Sequence, residues 1–232
     1  MGETFPLHII ARIHSEFPEK FGIPRQSGLV EELRARVVFE PEFRSADALR
    51  GLEGFSHVWL LWQFSRAVGK AWSPTVRPPR LGGNTRMGVF STRSPFRPNP
   101  IGLSSVRLLE VEREGPQGPS LVVAGADLMD GTPIFDIKPY LPYTDSHPEA
   151  LAGFTAPLEE VPLEVVFPQM LLERVPEAHR DALQAVLVRD PRPSYPDDPE
   201  RVYGMAFAGC NVRFTVGKGR LTVVDVEQEQ RP

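Results

Sequence analysis

The chain has 232 residues, 41% of them apolar and 24% charged, a balance that excludes a disordered polymer and suffices for one large or two small globular units. Its 26 basic and 30 acidic residues leave a formal charge of −4, so net charge alone gives no reason to expect a polyanionic partner. Cys210 is the only cysteine, which excludes an intrachain disulfide or a thiolate metal cluster within one chain. No apolar run approaches the roughly 18 residues that cross a bilayer, and the opening MGETFPLHII lacks the basic and apolar regions of a secretory signal. The expected location is the cytoplasm.

Taken in chain order, short β-branched or apolar runs predict strands over residues 7–14 (LHIIARIH), 36–39 (RVVF) and 57–64 (HVWLLWQF). The third is almost wholly apolar and is expected to be buried on both faces. Ser45 is placed to cap a short helix over 46–52. Further strands are expected at 87–91, 105–111, 121–126 and 134–137, with turn residues between them and no crossover helices. That spacing, with about twice the usual share of proline, favours an antiparallel or mixed barrel over a doubly wound sheet. After about residue 155 the pattern changes. A strand at 163–167, a helix from Pro176 to about Arg189 and strands at 202–207 and 211–227, the last turned at Gly217-Lys218-Gly219, predict a small α+β unit. The expected division is 1–155 and 156–232.

Charge is segregated along this chain. Residues 54–109 contain no Asp or Glu, yet hold Arg66, Lys70, Arg77, Arg80, Arg86, Arg93, Arg97 and Arg107. Eight cations without an anion suggest a local phosphate-bearing partner, with nucleic acid the first suspect; a solvated basic loop paired with acids elsewhere is the plainer alternative. No G-x-G-x-x-G follows a strand, and residues 83–88 have P-loop glycine spacing but lack the Lys and Ser/Thr that hold phosphate and magnesium. The five histidines are scattered without metal-ligand spacing, and His57 beside an apolar strand reads as a packing residue. A second cluster, DLMDGTPIFDIKPY (127–140), gathers Asp127, Asp130, Asp136, Lys138 and Tyr140 around an Asp-Gly-Thr-Pro turn. Such a cluster could bind a hydroxylated or cationic ligand, or remove a proton.

Five blocks together, EKFGIPRQSGLV (19–30), RGLEGFSHVWLLWQF (50–64), RPPRLGGNTRMGVFSTRSPFRPNPIGLS (77–104), DLMDGTPIFDIKPYLPY (127–143) and DPRPSY (190–195), resemble the TsaA-like, TrmO-type tRNA methyltransferases, in the same order along nearly the whole chain. The resemblance implies a mainly β fold, with a single-sheet β-barrel catalytic domain followed by a small α+β domain. It implies an S-adenosylmethionine-dependent enzyme that methylates N6 of threonylcarbamoyladenosine at position 37 of threonine tRNA, working as a homodimer. A same-fold methyltransferase acting on another substrate and a non-catalytic RNA-binding module are the alternatives.

Cofactor positions implied by the resemblance are Pro24, Arg25, Gln26, Ser65, Arg66, Arg93, Leu103, Asp130, Gly131, Thr132 and Pro133. Members of the family carry a His-Gln type pair where this chain has Ser65-Arg66, a departure from the family pattern at two of these positions. A carbamoylated adenine N6 is a poor nucleophile, so a base within hydrogen-bond reach is needed. Asp127, Asp130, Asp136 and Tyr140 are candidates by type and stay undivided at this level. Arg77, Arg80, Arg86 and Arg97 are assigned to tRNA phosphates or the threonyl carboxylate, with Arg192 and Tyr195 extending that surface from the second domain. Phe90 or Phe96 could stack on the target base, although packing explains either as well.

Overall fold

The structure, a computed structural model, describes residues 3–78, 81, 83–156, 161–192 and 198–228. Strands β1 (Ala11–His14), β2 (Arg34–Phe39), β3 (His57–Gln63), β6 (Ile101–Glu112), β7 (Ser120–Ala124) and β8 (Pro133–Pro139) close into a six-stranded barrel in the order β1-β2-β7-β6-β3-β8. The described pairings around it are all antiparallel. Inward residues alternate along the strands, as the period of a pleated chain requires. On β3 they are Val58, Leu60 and Trp62, which join Ile13, Val37, Val106, Leu121, Val123 and Ile134 in one buried cluster. This run is therefore half-buried rather than covered on both faces, correcting the expectation from its apolar composition. Its outward Trp59 is apolar because the short helix α1 (Pro142–Asp145) docks there, the indole N–H donating to Asp145 Oδ2 at 2.8 Å.

Two local expectations change in kind. Residues 87–91 are not one strand: Met87–Gly88 (β5) pairs with Thr75–Val76 (β4) in a two-residue ribbon, and Val89–Ser91 turns into a 3-10 helix. The helix after Ser45 is a 3-10 turn, Ala46–Leu49, and the serine side chain makes no cap bond to it.

The second unit is a four-stranded sheet in the order β10 (Tyr203–Phe207), β11 (Cys210–Gly217), β12 (Arg220–Gln228), β9 (Glu164–Val166). Only the β12–β9 contact is parallel. After the short helix α2 (Gln169–Leu172), helix α3 (Arg180–Val188) buries Ala182, Leu183, Val186 and Leu187, the stripe expected from helical spacing. Pro176 stands before a 3-10 turn, Glu177–His179, that leads into α3. The core of this unit is not made by its own residues alone. Phe17, Val30 and Leu33, from the connection between β1 and β2, are buried in it beside Met205, Phe207 and Phe214.

Chain direction decides where the chemistry can gather. The connections β1–β2 (residues 15–33), β3–β6 (64–100) and β7–β8 (125–132) all leave the barrel at one end, here called the mouth. These connections carry FGIPRQSG, the arginine-rich stretch and the Asp-Gly-Thr-Pro turn.

Candidate active site at the barrel mouth

Residues 125–127 run on from β7, and Asp127 meets Ser104 of β6. The Ser104 hydroxyl donates to Asp127 Oδ1 at 2.6 Å and accepts from the Trp62 indole N–H at 3.0 Å. Trp62 reaches this position because β6 has Gly102 opposite it. A Cβ on Gly102 would stand 2.3 Å from the indole ring, so no larger residue fits without moving the tryptophan. Phe64 packs edge-on against the indole, with ring centroids 4.3 Å apart. A carboxylate at the mouth is thus aimed by a serine, and the serine by a tryptophan, each anchored in the barrel wall.

Asp127 is half-buried, and that burial pushes its carboxyl above the usual aspartate range. The Ser104 hydroxyl, its own backbone, the positive Arg93 and the Ser27 backbone each pull it partly back. Arg93 in turn donates to the Gln26 side-chain oxygen, and Gln26 turns its amide N–H onto the Arg25 carbonyl. Residues 25–27, 93, 104 and 127 therefore form one neighbourhood, supplied by three connections and one strand.

The glycines that let these connections meet are specific. Gly28 N–H donates to the Gly125 carbonyl at 2.8 Å, and Gly125 N–H to Leu33 at 2.9 Å. Gly125 has φ +74, and a Cβ on it would lie 3.2 Å from Gly28 backbone atoms, so this crossing needs glycine on both counts.

The other candidate bases are placed differently. Asp130 accepts from the Ser15 N–H at 3.1 Å and lies 3.3 Å from His14 Nδ1, pinning the 127–132 connection to the end of β1. Gly131 N–H donates to Ile13 and Thr132 Oγ1 to Met129, so the turn is tied down by its own backbone. Asp136 sits on the outer wall opposite Leu61, where Lys138 Nζ lies 2.9 Å from it. Tyr140 donates its backbone N–H to His57 at 3.0 Å, at the opposite end of β3 from Trp62. Five residues of strand separate those levels, roughly 17 Å. Asp127 and Asp130 are brought to the mouth; Asp136 and Tyr140 are not.

Among the cofactor positions expected from sequence, Arg25, Gln26, Arg93 and the 130–133 turn are at the mouth. Leu103 faces outward beside Leu61, on a groove of about 380 Å3 also lined by Trp59, Lys138, Asp145 and His147. Ser65 and Arg66 begin a 3-10 turn directly after β3; Arg66 is exposed.

Of the expected tRNA contacts, Arg77 and Arg86 are exposed, Arg86 donating to Thr75 Oγ1 at 3.2 Å. Arg97 Nη1 is turned onto the carbonyl of Thr92 at 3.1 Å, where it braces the loop. Arg192 grips Asp190 through both sides of its guanidinium at 2.9 Å, a local pair. Arg80 and Tyr195 fall outside the described residues. Among the described residues, no carboxylate forms an ion pair with Arg66, Lys70, Arg77, Arg86 or Arg97. Exposed aromatic rings stand among these cations: Trp72, Phe90 and Phe96, with Lys70 over the Phe96 ring at 5.9 Å.

Ser104, Trp62, Gly102 and Ser27 were not singled out by sequence. The available signal was parity. In β6 the inward positions are 102, 104 and 106, and a serine at the middle one is a polar side chain aimed into a barrel.

Comparison with known proteins agrees along the whole chain. The tRNA-methyltransferase O N-terminal domain matches residues 12–146, and the TrmO C-terminal domain matches residues 160–229. A tRNA (adenine(37)-N6)-methyltransferase of Escherichia coli is 42% identical over 97% of this chain and 98% of its own length. One from Eikenella corrodens is 49% identical over 71% of this chain and 93% of its own. The crystal structure of TrmO from Pseudomonas aeruginosa superimposes with a TM-score of 0.77 at 33% identity, covering 97% of this chain and 99% of that one. A closed six-stranded barrel, a second sheet in the matched C-terminal region and near-complete coverage of relatives all lead to one assignment: the chain belongs to the TrmO family.

Proposed function

We propose that this chain is a tRNA (adenine(37)-N6)-methyltransferase that takes its methyl group from S-adenosylmethionine, that the adenine carries a threonylcarbamoyl group in threonine tRNA, and that Asp127 is the base. The recessed Asp127–Ser104–Trp62 chain beside the Gln26–Arg93 pair carries this reading.

The mouth suits the cofactor. Arg93, with Arg25 beside Gln26, offers guanidinium groups for an amino-acid carboxylate. Gly131, at φ +72, leaves open space where a side chain would project, so an adenosine can approach the 130–133 backbone. When bound, S-adenosylmethionine supplies a sulfonium methyl whose transfer leaves a neutral thioether. The N6 lone pair would make the new bond to the methyl carbon, the pair of the broken sulfur–methyl bond would stay on sulfur, and Asp127 would accept the N6 proton. Ser104 keeps the accepting oxygen in one orientation, which is where positioning contributes to the rate. Burial raises the carboxyl's proton affinity, which strengthens it as a base. Asp136, paired with Lys138 on the outer wall, and Tyr140, at the other end of β3, do not suit this step.

Arg66, Lys70, Arg77 and Arg86 supply phosphate contacts, while Trp72, Phe90 and Phe96 give flat faces for unstacked anticodon-loop bases. Residues 1–155 form the catalytic unit of this homodimeric, cytoplasmic enzyme, and 156–232 its C-terminal unit. Transfer of labelled methyl from S-adenosylmethionine to purified threonine tRNA, with and without the threonylcarbamoyl group, tests the reading. Methylation of the modified tRNA alone is expected. Transfer to neither, with cofactor bound, would leave the substrate wrongly named.

A further inference from the structure

The connection that carries Pro24-Arg25-Gln26 leaves the barrel after β1 and returns to it at β2, yet its apolar residues do not pack in the barrel. Phe17, Val30 and Leu33 are at most 4% exposed, and all three lie in the buried cluster of the C-terminal sheet. Phe17 meets Phe207 edge-on at 5.1 Å. Phe21 lies nearly parallel to the stacked Tyr203–Phe214 pair, 6.4 Å from each ring. The Ala208 N–H donates to the Glu16 carbonyl at 3.0 Å, and Glu16 Oε1 lies 3.6 Å from His179. At Gly22, φ is +94 and a Cβ would stand 2.2 Å from Met205 Sδ, so the loop backbone lies directly on the sheet's core. From there the chain crosses to the mouth within a few residues, where Gln26 meets Arg93, Ser27 faces Asp127 and Gly28 bonds to Gly125.

We infer that the C-terminal sheet is a positioning element for the cofactor loop: its core holds residues 17–23 and 29–33 so that residues 24–28 are presented to the barrel mouth at a fixed height. This rests on the reading that residues 24–26 hold S-adenosylmethionine. Met205, Phe207 and Tyr203 are then positioning residues for a cofactor that they do not touch. The unit's role differs from that of an RNA platform, and its local chemistry agrees: Arg192, its expected phosphate contact, is committed to Asp190. A loop of this length without such support would have to order itself on every binding event, a cost that appears as lost affinity.

The test uses the full chain with S-adenosylhomocysteine as probe, measured by titration calorimetry, alongside tRNA affinity at fixed salt and amide exchange over residues 20–30. Met205→Ala and Phe21→Ala are expected to weaken S-adenosylhomocysteine tenfold or more, to speed exchange at residues 22–28 and to change tRNA affinity less than twofold. Gln26→Ala, which alters a loop contact and not the clamp, is expected to weaken the probe without speeding exchange. If Gln26→Ala weakens the probe but Met205→Ala and Phe21→Ala leave it within twofold, the clamp is wrong and the cofactor reading stands. If Gln26→Ala is also neutral, the cofactor reading falls and takes the clamp with it. A tenfold loss of tRNA affinity in Met205→Ala with the probe unaffected would make the sheet an RNA platform and overturn the inference. Should Met205→Ala fail to fold, Tyr203→Ala, whose half-buried ring faces Phe21, gives the same readout.

Discussion

The two ends of the barrel are built from the same six strands and are opposite in electrostatic character. Toward the far end, cations are matched: Arg113 binds Glu53 through both Nε and Nη2, Arg50 pairs with Asp47, and Arg36 with Glu112, which also accepts from Ser120. Hydrogen bonds hold Glu53 and Glu112 below the usual glutamate range, with their own backbone or the arginine partner leading. At the mouth, Arg66, Lys70, Arg77 and Arg86 have no such carboxylates among the described residues, and the recessed Asp127 is shifted upward instead of down. Paired surface charges add little to stability and nothing to recognition. Unmatched cations at the same end as a half-buried carboxylate of raised pKa leave charge available to a ligand. Equal strands can therefore serve unequal purposes, because the connections and not the barrel set the chemistry of each end.

The largest way to break this comparison is Asp127→Asn. It removes the proton acceptor and is expected to lower kcat by about 10²–10⁴-fold with cofactor affinity kept, measured by single-turnover methyl transfer. The same change is not expected to lower Tm at neutral pH. A carboxyl whose folded pKa is raised above its unfolded value opposes folding once ionised, and asparagine removes that charge. An unchanged kcat would return the base to the other candidates. Next, Arg77→Ala with Arg86→Ala is expected to weaken tRNA binding about tenfold and flatten its salt dependence, while cofactor affinity is unaltered. A salt slope identical to the parent's would sink the phosphate assignment. Gly102→Ala is expected to cost about 1–3 kcal/mol in urea denaturation, since Trp62 must leave its seat, and to reduce activity with it.

Ser104→Ala sharpens the mouth further. Losing a hydrogen bond to the ionised form raises the Asp127 pKa again, so the acid limb of the kcat profile moves to higher pH. Activity rises as pH climbs through that limb, because the base must be ionised. A limb that stays in place would mean that another group titrates there. The smallest effect is expected from Tyr140→Phe at the far end, within twofold of the parent in kcat and KM.

Much of the barrel was legible from sequence because its strands are short apolar runs between turn residues, and those residues are local. Trp59 and Leu61 made β3 read as doubly buried, since an apolar outward residue is indistinguishable from an inward one until its cover is known. The cover here, α1, follows about eighty residues later. The three clusters 19–30, 77–104 and 127–143 were visible as unusual composition, but their meeting at one mouth was not, because that depends on strand order. Ser104 was hidden for a related reason. Its parity on β6 marks it as inward only when the barrel is known, and its partners Trp62 and Asp127 lie 42 and 23 residues away. Nothing local marks the apolar residues Phe17, Phe21 and Val30 as parts of a core. Their partners come almost at the end of the chain.

That separation has a temporal consequence. On the ribosome, all six strands of the barrel emerge before Tyr203–Phe207 and Cys210–Gly217 are made. Contacts so distant in sequence close late. During synthesis the barrel can form while its 15–33 connection still has no sheet to rest on. In this chain the ability to hold a cofactor would be acquired only once the second sheet has emerged, so that a nascent chain short of that sheet carries the chemistry of the mouth without the means to use it.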